Sequence, residues 1–329
     1  MGFWRGAVLA AAWLCAGAAG ATEGAREDAA DAVAWPLPWA KATTLVYDDR
    51  YEKVVRRGGA ETTVRGQGVT HVSTTPAADG YRQRWWSENL EFDAAQLGGM
   101  APVMAAAVKA LEGVPIEFQL DAAGAYVSLT NVENVAGRYR SALKSMFAGI
   151  DAEIPAEAKA EAADILAMLD RLADTLTSPE VLSVTLAEAP AAYNAVAGGG
   201  LAPGREYRFA DEGRSPLSDR PLPRSNLMTL AAAPDAPGRY DVRWVIELEP
   251  EALHAQLAES FDRLTAGTET GMEGAALFSG ARIATTIDYR VDAASGRVER
   301  MQRTKVQRFG DQDETETSVM TLRRPAPAT

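Results

Sequence analysis

Ile116-Glu117-Phe118-Gln119-Leu120-Asp121-Ala122-Ala123 recurs 171 positions later (287 − 116) as Ile287-Asp288-Tyr289-Arg290-Val291-Asp292-Ala293-Ala294. Four of the eight positions are identical and three more keep their chemical character. In both copies an Ile, an aromatic and an aliphatic residue alternate with acidic or polar ones. A period of two sends the two sets to opposite faces of an extended chain, so each copy predicts a half-buried strand. Gly124 and Ser295-Gly296 follow where the chain must turn back, which predicts a hairpin in both places.

Working outward, two further correspondences support a repeated unit. Phe92-Asp93-Ala94-Ala95-Gln96-Leu97 and Leu248-Glu249-Pro250-Glu251-Ala252-Leu253 each end a strand, offer an acidic N-cap and open a helix. The apolar faces that follow are Leu97, Met100, Met104, Val108, Leu111 and Leu253, Leu257, Phe261, Leu264, both at helical spacing. Leu45 to Asp49 and Tyr207 to Asp211 match as opening strands. The offsets, 162, 156 and 171, agree apart from a longer connector that includes Gly267 to Gly274. The expected fold is therefore α+β. Two similar halves, residues 35–130 and 201–324, each hold a β-meander, a helix and a hairpin, and the two sheets join in one curved sheet or stay separate. A helical insert, residues 131–200, packs on the sheet. Within it Thr177-Ser178-Pro179-Glu180 opens a helix expected to run to about Tyr193. Tyr240 to Leu248 is the clearest amphipathic strand, whereas Trp85 and Trp86 are adjacent and must face opposite ways unless a bulge intervenes. The Pro-rich stretch Ser215 to Ser225 predicts an exposed loop.

Residues 1–21 have the form of a secretory signal: Arg5, an apolar run from Ala7 to Ala16, then Ala19-Gly20-Ala21 for cleavage. That run is too short for a hydrocarbon layer of roughly 30 Å. Trp13 and Leu14 precede Cys15 where a lipidation motif takes small residues, and cleavage after Ala21 removes the only thiol. The mature chain, starting at Thr22 with an acidic, Ala-rich leader to residue 34, is expected to be exported, to the periplasm if the source is Gram-negative. It has no transmembrane helix in this reading, and residues 325–329 form a tail.

The 329 residues are 47% hydrophobic, 24% charged and 7% aromatic, which excludes collagen-like, wholly disordered and multi-span membrane classes. A net charge of −12, from 33 Lys and Arg against 45 Asp and Glu, argues against nucleic acid as a partner.

Reactive signatures are scarce. Glu251-x-x-His254 is half of a carboxylate-bridged metal motif without its second half, and His71 belongs to an alternating strand. Ser141-x-x-Lys144 lacks the companion motifs of penicillin-binding enzymes, and no Gly-x-Ser-x-Gly elbow or phosphate loop occurs. Asp311 to Glu316 is expected to be a solvated turn rather than a Ca²⁺ loop. No cofactor and no metal are expected. Trp35-Pro36-Leu37-Pro38-Trp39 either buries its indoles against the first strand or forms a stiff docking segment.

The aromatic-bearing strands Tyr81 to Phe92 and Tyr240 to Leu248, with the Ile116 and Ile287 hairpins, give a layout that resembles the lipoprotein-carrier type of periplasmic protein. It resembles equally the uncharacterised secreted bacterial proteins with Asp-x-x-Gly hairpins. The carrier resemblance implies a half-barrel around an apolar cavity for acyl chains, and it assigns no residue. The expected function is a non-catalytic envelope protein binding a lipid or other amphipathic ligand on apolar faces that carry Trp85, Phe118, Trp244, Tyr289, Met104 and Leu257. Two alternatives stand beside it: an envelope interaction or assembly module whose partner is a protein, and a hydrolase with an unrecognised carboxylate pair.

Overall fold

The computed structural model describes residues 31–39, 41–93, 111–153, 177–215, 218–264 and 280–323, with positions 109, 163, 167, 170, 171, 173–175 and 278. The signal, Met104, the helix expected after Asp93, the Gly267 to Gly274 connector and the tail lie outside these residues.

Thirteen strands are numbered in chain order. After β1 (Val33–Ala34), β2 (Thr43–Arg57), β3 (Ala60–Ala77) and β4 (Gly80–Asp93) form a meander, followed by β5 (Ile116–Leu120) and β6 (Tyr126–Leu129). Then come α1 (Val132–Glu153), α2 (Pro179–Thr185), α3 (Glu188–Asn194) and β7 (Gly200–Leu201). The chain continues with β8 (Glu206–Ser215), β9 (Ser218–Ala232), β10 (Arg239–Leu248) and α4 (Pro250–Leu264). It ends with β11 (Arg282–Asp292), β12 (Arg297–Phe309) and β13 (Gln312–Leu322).

Eleven strands make one open antiparallel sheet in the order β6-β5-β4-β3-β2-β13-β12-β11-β10-β9-β8, and β1 pairs with β7 beside it. The join is β2 against β13, from Tyr47↔Leu322 to Arg57↔Gln312. Two rows cross this sheet at the positions the repeat singles out. Leu45 faces Val72, Val72 faces Trp85, and Trp85 faces Ile116. On the far side Tyr207 faces Met228, Met228 faces Trp244, and Trp244 faces Ile287. Ile287 is buried, whereas Ile116 is half-buried beside the short edge strand β6.

One sheet face is covered. Trp85 points into it, and Trp86 points out, where its ring stacks on His71 at 4.7 Å. The irregularity in this strand pair falls further along, between Gln67 and Val69, with Asn89 at φ 53°. The segment Trp35 to Trp39 straps across the turns at Gly124 and Gly296. A Cβ at Gly296 would meet Pro36 O at 1.8 Å, and one at Gly124 would meet Leu37 and Trp39 side chains at 2.7 and 2.9 Å. Both glycines also have positive φ, so the turn and the close approach each require them. Both indoles are buried, and Trp35 Nε1 donates to Val196 O at 2.6 Å, which leaves no exposed docking segment.

Two expectations need correcting. Of the stretch expected as a loop, Ser215 ends β8 and Ser218 to Ser225 begin β9: Pro223 pairs with Glu212 and Leu222 is buried. β10 joins β9 only from Arg224 onward, so Pro221 and Pro223 sit where one ladder is missing and no N–H is wanted there. The helix opened by Ser178, whose Oγ accepts from Val181 N at 3.3 Å, does not run on to Tyr193. Pro190 cannot donate to Leu186 O and its ring would crowd that carbonyl, so the chain breaks and restarts at Glu188.

Candidate functional site

α3 and α4 both lie on the covered face. α4 is amphipathic and capped by Glu249, whose Oε1 and Oε2 accept from Glu251 N at 3.1 Å and Ala252 N at 2.6 Å. It presses Leu253, Leu257 and Phe261 onto Leu222, Leu248, Ile283 and Phe309. α3 has no such stripe. Its buried residues are Pro190, Ala191, Ala192, Tyr193 and Asn194.

Tyr193 fills the aromatic floor. It is 1% exposed, lies edge-on to Trp85 at 5.3 Å and to Tyr47 at 5.8 Å, and stacks on Trp39 at 6.4 Å. Tyr47 Oη donates to Val298 O at 2.9 Å and has no second hydrogen. Tyr193 must therefore be the donor in the 2.8 Å Tyr193–Tyr47 contact. Tyr289 Oη donates to Ala192 O at 2.7 Å. Asn194 exchanges two hydrogen bonds with Gln83, at 2.8 and 3.2 Å, and the same Gln83 Oε1 accepts from Trp85 Nε1 at 2.8 Å. Burial pushes the Tyr193 phenol up to about 12 and holds those of Tyr47 and Tyr289 well above the ordinary range. All three stay neutral donors at any physiological pH.

Beyond the aromatic floor the covered face turns ionic. In register, Thr285 faces Lys305, Lys305 faces Glu316, and Glu316 faces Lys53. Arg303 lies one row towards the aromatic floor and Glu314 one row away from it. Lys305 and Glu314 are each 2% exposed. Glu314 accepts from Lys53 Nζ at 2.8 Å and from Gln307 Nε2 at 3.2 Å. Burial raises its carboxyl above the usual range, against the opposing pull of Lys53. Arg303 is in contact with Glu188 of α3 and lies 3.7 Å from Glu316.

Between α3 and the α4 cluster is a narrow cavity with about 10 Å³ of free volume, room for about one water. Its floor is Ile246, Leu248, Ile283 and Ile287, and its rim carries Arg224, Arg303 and Glu188. Arg224 is 1% exposed and donates from Nη2 to Asp211 Oδ2 at 2.6 Å. A larger groove of about 650 Å³ has Arg50, Glu52, Arg65, Gln67 and Glu91 in its lining, which register assigns to the opposite sheet face. Its polar groups pair among themselves, Arg65 with Glu52 at 2.7 Å and Gln67 with Glu91 at 2.5 Å.

The sequence-predicted apolar residues fall into two groups. Trp85, Phe118, Trp244 and Tyr289 join one buried cluster, under α3 and the Trp35 to Trp39 strap. Leu257 belongs to the α4 cluster. His71 lies on the outer face, its Nε2 3.3 Å from Glu88 Oε2 and without a hydrogen bond. Ser141 Oγ donates to Gly137 O at 2.9 Å, while Lys144 Nζ lies 3.4 Å from Asp170. Asp49, held up to about 6 by burial, faces Met320; Glu314 is six positions away along that strand, roughly 20 Å. No group of His, Cys, Asp and Glu fit to hold a metal occurs among the described residues, nor any helix long and apolar enough to cross a membrane.

The ionic row is what sequence reasoning missed. The run expected to be a solvated turn places Glu314 and Glu316 under cover. Shared parity was the available signal, since Arg303, Lys305, Gln307 and Glu314, Glu316 alternate at the strand period.

No family model matches this chain, and no curated protein matches it. Among solved structures it is similar to lipovitellin, from a study of lipid–protein interactions in that protein. The identity is 8% and the TM-score 0.41, with 87% of this chain and 26% of that one covered. The chain thus spans about a quarter of the length of that structure. It is also similar to DynF of the dynemicin biosynthesis pathway of Micromonospora chersina. There the identity is 8% and the TM-score 0.22, with 93% of this chain and 94% of that one covered.

Proposed function

We propose that the protein is a non-catalytic binding protein of the cell envelope, exported by cleavage after Ala21, which holds an apolar or amphipathic guest on the covered face of its sheet. One observation carries this reading. The aromatic floor of Trp85, Phe118, Trp244 and Tyr289 is covered by a seven-residue helix with three alanines and one tyrosine. A helix that short has little stability of its own and is kept by what it touches. Besides the ring packing of Tyr193, its fastenings are hydrogen bonds and one ion pair, which a guest or water can replace. A guest taking the place of α3 would meet aromatic rings at both ends of the sheet.

The rows Leu45–Val72–Trp85–Ile116 and Tyr207–Met228–Trp244–Ile287 support reading residues 35–130 and 201–324 as copies of one unit, with residues 131–200 supplying the cover. In each copy the Trp indole donates to an amide oxygen, of Gln83 at 2.8 Å and of Asn226 at 3.0 Å.

The test is native mass spectrometry of the full chain purified from its own compartment after gentle extraction. A stoichiometric acyl-bearing species on the folded protein is the expected result. A bare polypeptide mass, unchanged after incubation with total lipid extract, overturns the reading.

A further inference from the structure

Resting on that reading, we propose that the guest is an alkyl-chain amphiphile with an anionic head, and that the head takes the place of the Glu188 carboxylate on Arg303. Around Arg303 on the covered face, the ionic rows of the sheet carry Lys53, Arg303 and Lys305 with Glu314 and Glu316, beside the separate Arg224–Asp211 pair and Asp49. Glu188 adds a third carboxylate to these rows, and it belongs to α3 rather than to the sheet. Arg303 and Glu188 are 11% and 14% exposed, so the pair is largely out of water, where an unpaired charge costs several kcal/mol. A cover that leaves without a substitute takes away the closer of Arg303's two carboxylates and leaves it beside Lys305 with Glu316 at 3.7 Å.

A neutral guest therefore meets a penalty, and an anion removes it. Arg303 is suited to this exchange because a guanidinium offers planar, paired donors to a carboxylate or a phosphate alike. The adjoining surface suits the tail. Ile246, Ile283 and Ile287 floor the cavity that begins at Arg303, and Ile287 leads to Trp244 in register. Head and tail positions are contiguous. Arg224 is already engaged by Asp211, so Arg303 is the residue whose partner changes.

Calorimetric titration of the full chain with dodecanoate, dodecyl phosphate and the neutral glycerol monododecanoate tests this. Dodecanoate is expected to bind at least about tenfold tighter than the neutral ester, the equivalent of one hydrogen-bonded charge. The phosphate arm tells which anionic head is preferred. Glu188→Gln, which removes the internal competitor, is expected to strengthen dodecanoate binding by about tenfold. Arg303→Gln is expected to erase the preference for the anion, the acid losing its cation and the ester its penalty. The exchanged pair, Glu188→Arg with Arg303→Glu, keeps the contact in case the single variant misfolds, and is expected to favour dodecylamine instead. Equal affinity for acid and ester in the unaltered protein overturns the anion assignment and leaves the carrier reading standing. So does a preference that survives in both Arg303 variants. Absence of binding by every amphiphile, in the unaltered protein and in Glu188→Gln, overturns both.

Discussion

The two helices on the covered face are held in different ways. α4 buries Leu253, Leu257 and Phe261 in a cluster sealed by Phe278 and Phe309, with ring centroids about 6 Å apart. Its main contacts are apolar and non-directional, which nothing in water replaces, joined by two hydrogen bonds that Gln256 Nε2 donates to Arg220 O and Pro221 O, both at 3.0 Å. α3 buries two alanines, a proline, an asparagine and one tyrosine, and is tied by directional polar contacts that water can mimic. The first is a permanent part of the core. On the proposed reading the second is a plug, with Tyr193 seated in the core cluster and its polar ties open to exchange.

The largest expected effect comes from breaking the apolar side of this contrast. Phe261→Ala should cost about 3–5 kcal/mol in denaturant unfolding, because a ring in a ring cluster leaves a cavity that cannot collapse. It should leave amphiphile binding unchanged in whatever fraction stays folded. Loss of binding in step with stability would make the two covers one unit.

A smaller effect tests the polar side by pH. Asp49 lies on the same face of β2 as Tyr47, and burial holds its carboxyl at about 6, against 3.8 in the free residue. The fold thus keeps a proton that the unfolded chain gives up. The stability this contributes is complete below about pH 4 and is lost as pH rises through 6. Asp49→Asn, which still accepts the 3.1 Å hydrogen bond from Thr70, should gain about 2 kcal/mol at pH 8 and almost nothing at pH 4. A gain independent of pH would mean the carboxyl is not the cause.

How much of this was legible in the sequence follows from the range of each signal. The strands bearing Trp85, Phe118, Trp244 and Tyr289 were readable because alternation is a local signal of a half-buried strand. So was the start of α4, where Glu249 and Pro250 spell a helix N-terminus. Pro190 was overlooked because a proline in a helix's first turn and one in its interior look alike until the helix start is known. Pro221 and Pro223 misled because prolines are turn formers unless a missing ladder accommodates them. The ionic row was missed for a different reason, although the parity of its charges was in view. Lys53, Lys305 and Glu316 come from three strands, and a charge is expected to be solvated unless its partner is known. Only the β2–β13 join, a pairing between the first and last long strands, brings them together.

The smallest effect is the most discriminating. Tyr193→Phe keeps the ring between Trp85, Trp39 and Tyr47 but deletes the hydrogen that Tyr193 gives to Tyr47. Tyr47 still donates to Val298 O, so no donor is left idle and the cost should be only about 1 kcal/mol. If α3 opens independently, that cost falls on it alone. Amide exchange across α3 should then quicken by about fivefold, with α4 amides unmoved, because local opening has its own free energy. Equal acceleration in both helices would mean that the polar fastenings hold the whole core rather than a plug. The exchange of α3 for a guest would then require unfolding the protein, and a carrier built that way could not release its cargo and survive.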